Sequence, residues 1–349
     1  MTTLRAFILC VLAALSLAPA AAVACTRALY HGGGNITLTG RTMDWLEDIH
    51  SDLWVFPRGL ARDGAAGPSS FTWTSKYGSV VVCGYNAGTC DGMNEKGLVA
   101  NLLFLAESEY PAPDDPRPPL SIAAWAQWVL DSFATVEEAV AAMEHAPYRI
   151  VAPTLPNGMD STLHLSISDA SGDSAIVQYI GGKPNIHHSR DYQVMTNSPV
   201  FDQQLALNAY WQQIGGTTML PGANRAADRF VRACFYINAC EQTDDPRAAA
   251  AAVLSVMRNV SVPRGITTPD QPNISSTIWL TVADQTNRVY YFHDTLAPGA
   301  VWVRLADIDF AESSGTRRLA LSADRDLAGN QTGAFVLAEP FPFLPGAPR

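Results

Sequence analysis

From Cys25 onward, short runs of β-branched and aromatic residues alternate in blocks with longer apolar stretches of helical period. Thr26 to Tyr30 and Ile36 to Met43 flank the turn sequence His31-Gly32-Gly33-Gly34-Asn35, a hairpin signal with Cys25 heading its first strand. Asp52 to Phe56, Ser70 to Trp73, Ser79 to Tyr85 and Leu98 to Leu105 read as further strands. The apolar run Ser121 to Phe133 predicts a helix, and Thr135 to Glu138 has the spacing of a capping box opening a second helix that runs to His145. Strand patterns return at Leu163, Leu165 and Ile167, at Ile176 to Ile180 and at Tyr192 to Thr196, which delivers Asn197 at its end. Helices are expected over Asp202 to Gln213, Asn224 to Asn238 and Pro246 to Arg258. A late hairpin, Thr277 to Ala283 with Arg288 to His293, and a strand at Val301 to Leu305 follow. Such blocks suit an α+β fold of antiparallel sheets covered by helices better than a parallel βαβ wind. Pro111 to Pro119 and the tail after Pro340 read as surface connections, and no composition shift divides residues 25–349 into two domains.

The first 24 residues stand apart from this pattern. Arg5 precedes an apolar run from Phe7 to Leu17 that is too short to span a bilayer, and Ala22-Val23-Ala24 is a small-x-small cleavage signal. A secretory signal over 1–24, removed to leave residues 25–349, makes Cys25 the first residue of a periplasmic or secreted protein with no membrane association after cleavage. Cysteine at this position is also the lipidation site of bacterial lipoproteins, although Ala22 stands where that signal usually has Leu.

Of 349 residues, 33 are acidic and 23 basic, a net charge of −10; losing Arg5 with the signal makes it −11. Such a chain lacks the basic footprint of a nucleic-acid or anionic-membrane binder. Hydrophobic residues make up 48% of the chain, enough for a sizeable core. The five cysteines beyond the signal are Cys25 and two close pairs, which suggest Cys83–Cys90 and Cys234–Cys240 disulfides with Cys25 left free; four reduced buried thiols is the competing reading. Neither pair has metal-ligand spacing.

An N-terminal cysteine carries a nucleophile and its own general base. A free α-amino group titrates at about 8 and a thiol at about 8.5, so both are available on one residue near neutral pH. Arg41, at the end of the second hairpin strand, is placed to return beside Cys25 and favour its thiolate, and Asp44 to orient the amine or thiol. Taken alone, Arg41 and Asp44 also read as a surface ion pair.

Cys25, the run RTMDW from Arg41 to Trp45, DGMNEKGL at 91–98, TNSPVFDQQL at 196–205 and LPGANRAADRFVR at 220–232 together resemble the choloylglycine hydrolase family. This family contains the penicillin V acylases and bile salt hydrolases, which are N-terminal nucleophile hydrolases. The resemblance implies a four-layer αββα sandwich and catalytic roles for Cys25, Arg41, Asp44, Asn197 and Arg229. It also implies an oxyanion hole made by the Asn197 side-chain amide and the backbone N–H of Phe104. Phe104 departs from the Asn or Tyr usual there, which removes any polar side-chain contact but not the backbone donor. Asn101, three residues away, has the wrong strand parity to replace it. Trp45, Met43 and Phe104 are expected to line an apolar acyl slot, Trp45 reading equally as core.

The implied reaction is hydrolysis of a small-molecule acyl amide through a thioester, with no metal or organic cofactor. Penicillin V acylase-type hydrolysis comes first, with long-chain N-acyl homoserine lactones as a natural substrate class. A conjugated bile salt hydrolase is the alternative, and a non-catalytic periplasmic acyl-ligand binding protein the alternative of another class. Oligomeric state stays open, a homo-oligomer included.

Overall fold

The computed structural model describes residues 25–215, 218–266, 275–321 and 326–346; the signal segment expected over 1–24 lies outside them. Among the described residues, two large sheets carry the architecture. The first has the spatial order β14 (Val194–Met195), β1 (Cys25–His31), β2 (Thr37–Trp45), β15 (Ser276–Asp284), β16 (Val289–Asp294), β17 (Val301–Arg304) and β19 (Gly329–Asn330). The second runs β13 (Lys183–His188), β12 (Ser174–Ile180), β11 (Leu163–Ser168), β8 (Val99–Phe104), β7 (Gly88–Asn94), β6 (Ser79–Gly84), β3 (Leu53–Phe56), β18 (Arg317–Leu319) and β20 (Val336–Leu337). Two short pairs, β4 (Ala61–Asp63) with β5 (Thr72–Thr74) and β9 (Pro119–Ser121) with β10 (Arg149–Val151), lie outside them.

Helices α1 (Ile122–Ser132) and α2 (Val136–Glu144) cover the outer face of the second sheet. Helix α3 (Phe201–Ile214) packs on α4 (Ala226–Ala239), and α4 and α5 (Pro246–Asn259) lie on β1 and β2 of the first. The fold is therefore the expected αββα sandwich. One core fills the space between the sheets and reaches α4 and α5; the other joins the second sheet to α1 and α2.

Both outer contacts depend on a glycine. A Cβ on Gly40 of β2 would lie 2.6 Å from Val253 Cγ1 and 2.8 Å from Met257 Cγ of α5. On Gly92 of β7 it would lie 2.7 Å from Val81 Cγ1 and 3.0 Å from Leu130 Cδ1 of α1. The missing side chains let each helix seat on its sheet. Helix α1 begins at the N-cap Ser121, whose side chain accepts from Ala123 N. At α2, Thr135 Oγ1 accepts from Glu138 N at 3.2 Å, while the Glu138 carboxylate accepts from Ala134 N at 2.8 Å, one residue earlier than a regular capping box requires.

Three expectations are corrected. No disulfide forms among the described residues: all five cysteines are free. Cys83 sits opposite Thr89 in the β6–β7 ladder, so Cys90 points to the other face, and the two thiols pack against different cores. Cys234 and Cys240 are six residues apart along α4 and its C-cap, about 9 Å of helix rise, beyond the reach of a bridge. The tail after Pro340 is not a surface terminus either, because Phe341 and Phe343 are buried in the core of the second sheet. Nor is the end of the proline-rich stretch, where Pro119–Ser121 is a fully buried strand.

Candidate active site

The β1–β2 hairpin brings the hairpin's predicted residues together. Its register sets Met43 directly opposite Cys25, and Arg41, two residues back on the same face, diagonal to it. Cys25 Sγ lies 3.8 Å from Met43 Sδ and 3.8 Å from the Asp44 carbonyl oxygen. Thr42 and Asp44 point to the opposite face, toward α4. Arg41 and Asp44 are both buried and do not pair with each other, so neither belongs to a surface ion pair. Arg41 Nη1 lies 3.7 Å from Asp91 Oδ2, whereas Asp44 Oδ2 lies 3.6 Å from Arg229 Nη1.

Arg229 links the residues of this second face. Its Nη1 donates to the Cys25 carbonyl at 2.8 Å and to Thr26 Oγ1, its Nη2 donates to Asn197 Oδ1 at 3.0 Å, and its Nε donates to Asn224 O at 3.0 Å. The backbone nitrogen of Cys25 donates to the same Asn197 Oδ1 at 2.5 Å. Two donors on Oδ1 fix the amide orientation and turn Nδ2 toward the Phe104 carbonyl, 2.7 Å away. That bond uses one of the two Nδ2 hydrogens.

Asn197 follows β14, which pairs with β1. Arg27, buried on β1 without a carboxylate partner among its hydrogen bonds, donates to Tyr192 O at 3.1 Å and Gln193 O at 3.0 Å and so holds the chain entering β14. Gln204 of α3 donates to the carbonyls of Asn197 and Pro199, and accepts from Thr196 Oγ1. The TNSPVFDQQL motif thus closes on itself around the Asn197 carbonyl.

On the inner face, β7 is paired with β8 only over Val99 to Asn101. Beyond that point the backbone of β8 is open on the β7 side, where Arg41 Nη2 takes the Leu102 carbonyl at 2.7 Å and Asn197 takes that of Phe104. On the other side Leu105 N donates to Thr162 O at 2.9 Å, which makes Phe104 and Leu163 a non-hydrogen-bonded pair. The Phe104 N–H is therefore directed to the open side, with Arg41 and Asn197. Asn101 points between the sheets, donating to Asp91 Oδ2 at 2.8 Å, as its strand parity requires.

Burial governs the ionisation of the site. It pushes the Cys25 thiol above its ordinary value, and Arg41, acting in the opposite sense, does not cancel this. Arg41 does favour the thiolate, as expected, but burial is the larger effect. Burial likewise raises Asp44 to about 6, against the pull of Arg229 and hydrogen bonds from Thr277 and Thr42.

An apolar cleft opens beside the Cys25 thiol, lined by Met43, Trp45, Leu102, Phe104, Leu155 and Leu163 among others. Its empty volume is about 700 Å³, the open mouth included. Trp45 meets Phe104 edge to face with centroids 6.3 Å apart, and its Nε1 donates to Tyr85 OH at 2.8 Å. Trp45 is both core and cleft wall.

Residues 25–316 match the linear amide C–N hydrolases, choloylglycine hydrolase family. The chain belongs to the choloylglycine hydrolase family. It is 48% identical over 357 aligned positions to a penicillin V acylase of Pectobacterium atrosepticum, with 95% of each chain covered. The solved penicillin V acylase of Agrobacterium tumefaciens shares 56% identity at a TM-score of 0.85, covering 92% of this chain and 99% of that one. A bile salt hydrolase/transferase of Clostridium perfringens is 27% identical over 295 residues, 77% of this chain and 88% of the relative. The chain is thus an enzyme, a penicillin V acylase-like hydrolase of linear amide C–N bonds, and not the non-catalytic binding protein entertained from sequence.

Several residues of the site went unnoticed in the sequence. Asp91 lies in a quoted motif and accepts from Thr281 and Tyr290 as well as Asn101. Thr26 and Gln204 also lie in or beside motifs. Thr277, which donates to Asp44 Oδ1 at 2.5 Å, is 233 residues away in sequence and carries no local signal.

Proposed function

We propose that the protein is exported, cut after Ala24, and works from Cys25 as an N-terminal nucleophile amidase of the penicillin V acylase type. The observation that carries this is the division of Cys25 between two environments. Its nitrogen, which becomes the α-amine on cleavage, sits on Asn197 Oδ1, while its sulfur borders an apolar cleft. The α-amine takes the thiol proton, and sulfur attacks the amide carbonyl carbon. Asn197 Nδ2 and the Phe104 N–H hold the oxyanion that forms. Collapse breaks the C–N bond, the amine departs with the proton, and water activated by the same α-amine hydrolyses the thioester. Arg229 and Asp44 keep the Cys25 backbone and Asn197 in register, and Arg41 favours the thiolate as it develops.

The wall of Met43, Trp45, Leu102 and Phe104 favours an apolar acyl group, each buried methylene contributing about 0.8 kcal/mol. Phenoxyacetyl amides and long-chain N-acyl homoserine lactones both fit this chemistry. The deciding experiment is amine release by the protein mature from Cys25, from penicillin V, an N-acyl homoserine lactone series and glycocholate, beside Cys25→Ala. Turnover lost in the variant, with penicillin V or the lactones preferred over glycocholate, is the expected result. Turnover retained in Cys25→Ala would remove Cys25 as the nucleophile, and a diacylglycerol on Cys25 of the mature protein would exclude the mechanism.

A further inference from the structure

The C-terminal segment crosses the second sheet's outer core and ends at the cleft. Phe341 stacks edge-on against Trp54 and Phe56 at 5.2 and 5.5 Å between centroids, and Phe343 lies under the Arg62 guanidinium at 5.7 Å. The next residue, Leu344, is tied by its backbone alone. Its N donates to Ala87 O at 2.6 Å, and its carbonyl accepts from Ser121 Oγ at 2.6 Å. Gly346 N donates to Ala65 O at 2.8 Å and fastens the strap beyond. Leu344, half-buried, lines the cleft together with Ala87, Gly88, Ile122 and Ala123.

This wall is the end remote from the chemistry. Arg41 Nη1, of the nucleophile's face, donates to Cys90 O at 3.0 Å. Ala87, whose carbonyl holds Leu344, lies in the turn before β7, on the far side of Gly88, Thr89 and the bulge at Cys90. An acyl group bound by its carbonyl near Cys25 and running along β7 meets Leu344 at its tail.

We propose that Leu344 is the end wall of the acyl slot and sets the acyl length the enzyme prefers. The inference rests on the cleft being that slot. Because both anchoring bonds use the backbone of residue 344, its side chain can be changed without cutting the strap.

The test compares Leu344→Ala and Leu344→Phe with the unchanged enzyme, mature from Cys25, on N-acyl p-nitroanilides from butanoyl to tetradecanoyl. The readout is kcat/KM for dodecanoyl over that for hexanoyl. The ratio should rise in Leu344→Ala, by about fourfold for each further methylene buried, and fall in Leu344→Phe. A structural role alone would change all lengths by a common factor; that result, or an unmoved ratio in both variants, overturns the proposal. Should the unchanged enzyme show no Cys25-dependent turnover, the amidase reading fails by itself. Calorimetric binding of fatty acids of the same lengths to Cys25→Ala, with and without the Leu344 changes, then reads the wall directly. Opposite shifts in preferred length support it, and no shift overturns it.

Discussion

At the scale of single residues, the site divides its polar groups between the two faces of β2, Arg41 with Asp91 on one and Asp44 with Arg229 on the other. Asn197 shows how tight the arrangement is, since its amide meets Cys25 N, Arg229 and Phe104 O at once. Asn197→Ala should lower kcat about 10²-fold or more, the scale of one lost oxyanion donor, as read by steady-state kinetics on penicillin V. An unchanged kcat would place it outside the hole. Asp44 makes a prediction about pH. Its folded value of about 6 lies above the ordinary 3.8, so the carboxyl gains its proton early on acidification and loosens its hold on Arg229. Turnover should fall as pH drops through about 6, and the residual activity of Asp44→Asn should lack that limb. The stability effect has the opposite sign. The unfolded chain releases this proton first, so the Asp44 contribution to stability declines as pH rises from about 4 to about 6 and is level above. Denaturant titrations of both proteins across that range measure it.

At the scale of elements, two helices seat on two glycines. Gly40→Ala drives a methyl into Val253 and Met257 and should cost about 1–3 kcal/mol, seen as a lower urea midpoint with an unchanged slope. Loss of that magnitude without a shift in the α5 contacts would point to strain in β2 instead. Strands rich in Val, Ile and aromatic residues were legible, but β7 and β13 were not. β7 reads GTCDGMN, with two glycines, Asp and Asn, and is a strand because it is paired by β6 and β8 on its two sides. β13 reads KPNIHH, and its Pro184 is tolerated because the strand lies at the sheet edge. In both, neighbours overrode the local propensity.

At the scale of the whole molecule, stability comes from two cores without covalent staples, all five described cysteines being free. Thermal unfolding should give the same Tm with and without dithiothreitol; a fall of several degrees in reductant would mean that a bridge forms. The sequence by itself determined the order of most strands and helices, the β1–β2 hairpin with Cys25 at its head, and, through five motifs, the family. These are short-range signals, written in periodicity, turn residues and local runs. Tertiary structure alone decided which face each residue serves: that Arg41 pairs with Asp91 and Asp44 with Arg229, that Thr277 reaches Asp44, that the cysteine pairs point apart, and that Leu344 lines the cleft. Each depends on register and on contacts between segments far apart in the chain. It also decided the balance at the Cys25 thiol, whose pKa rises because burial outweighs the neighbouring arginine, and burial is a property of the packed molecule rather than of any run of residues.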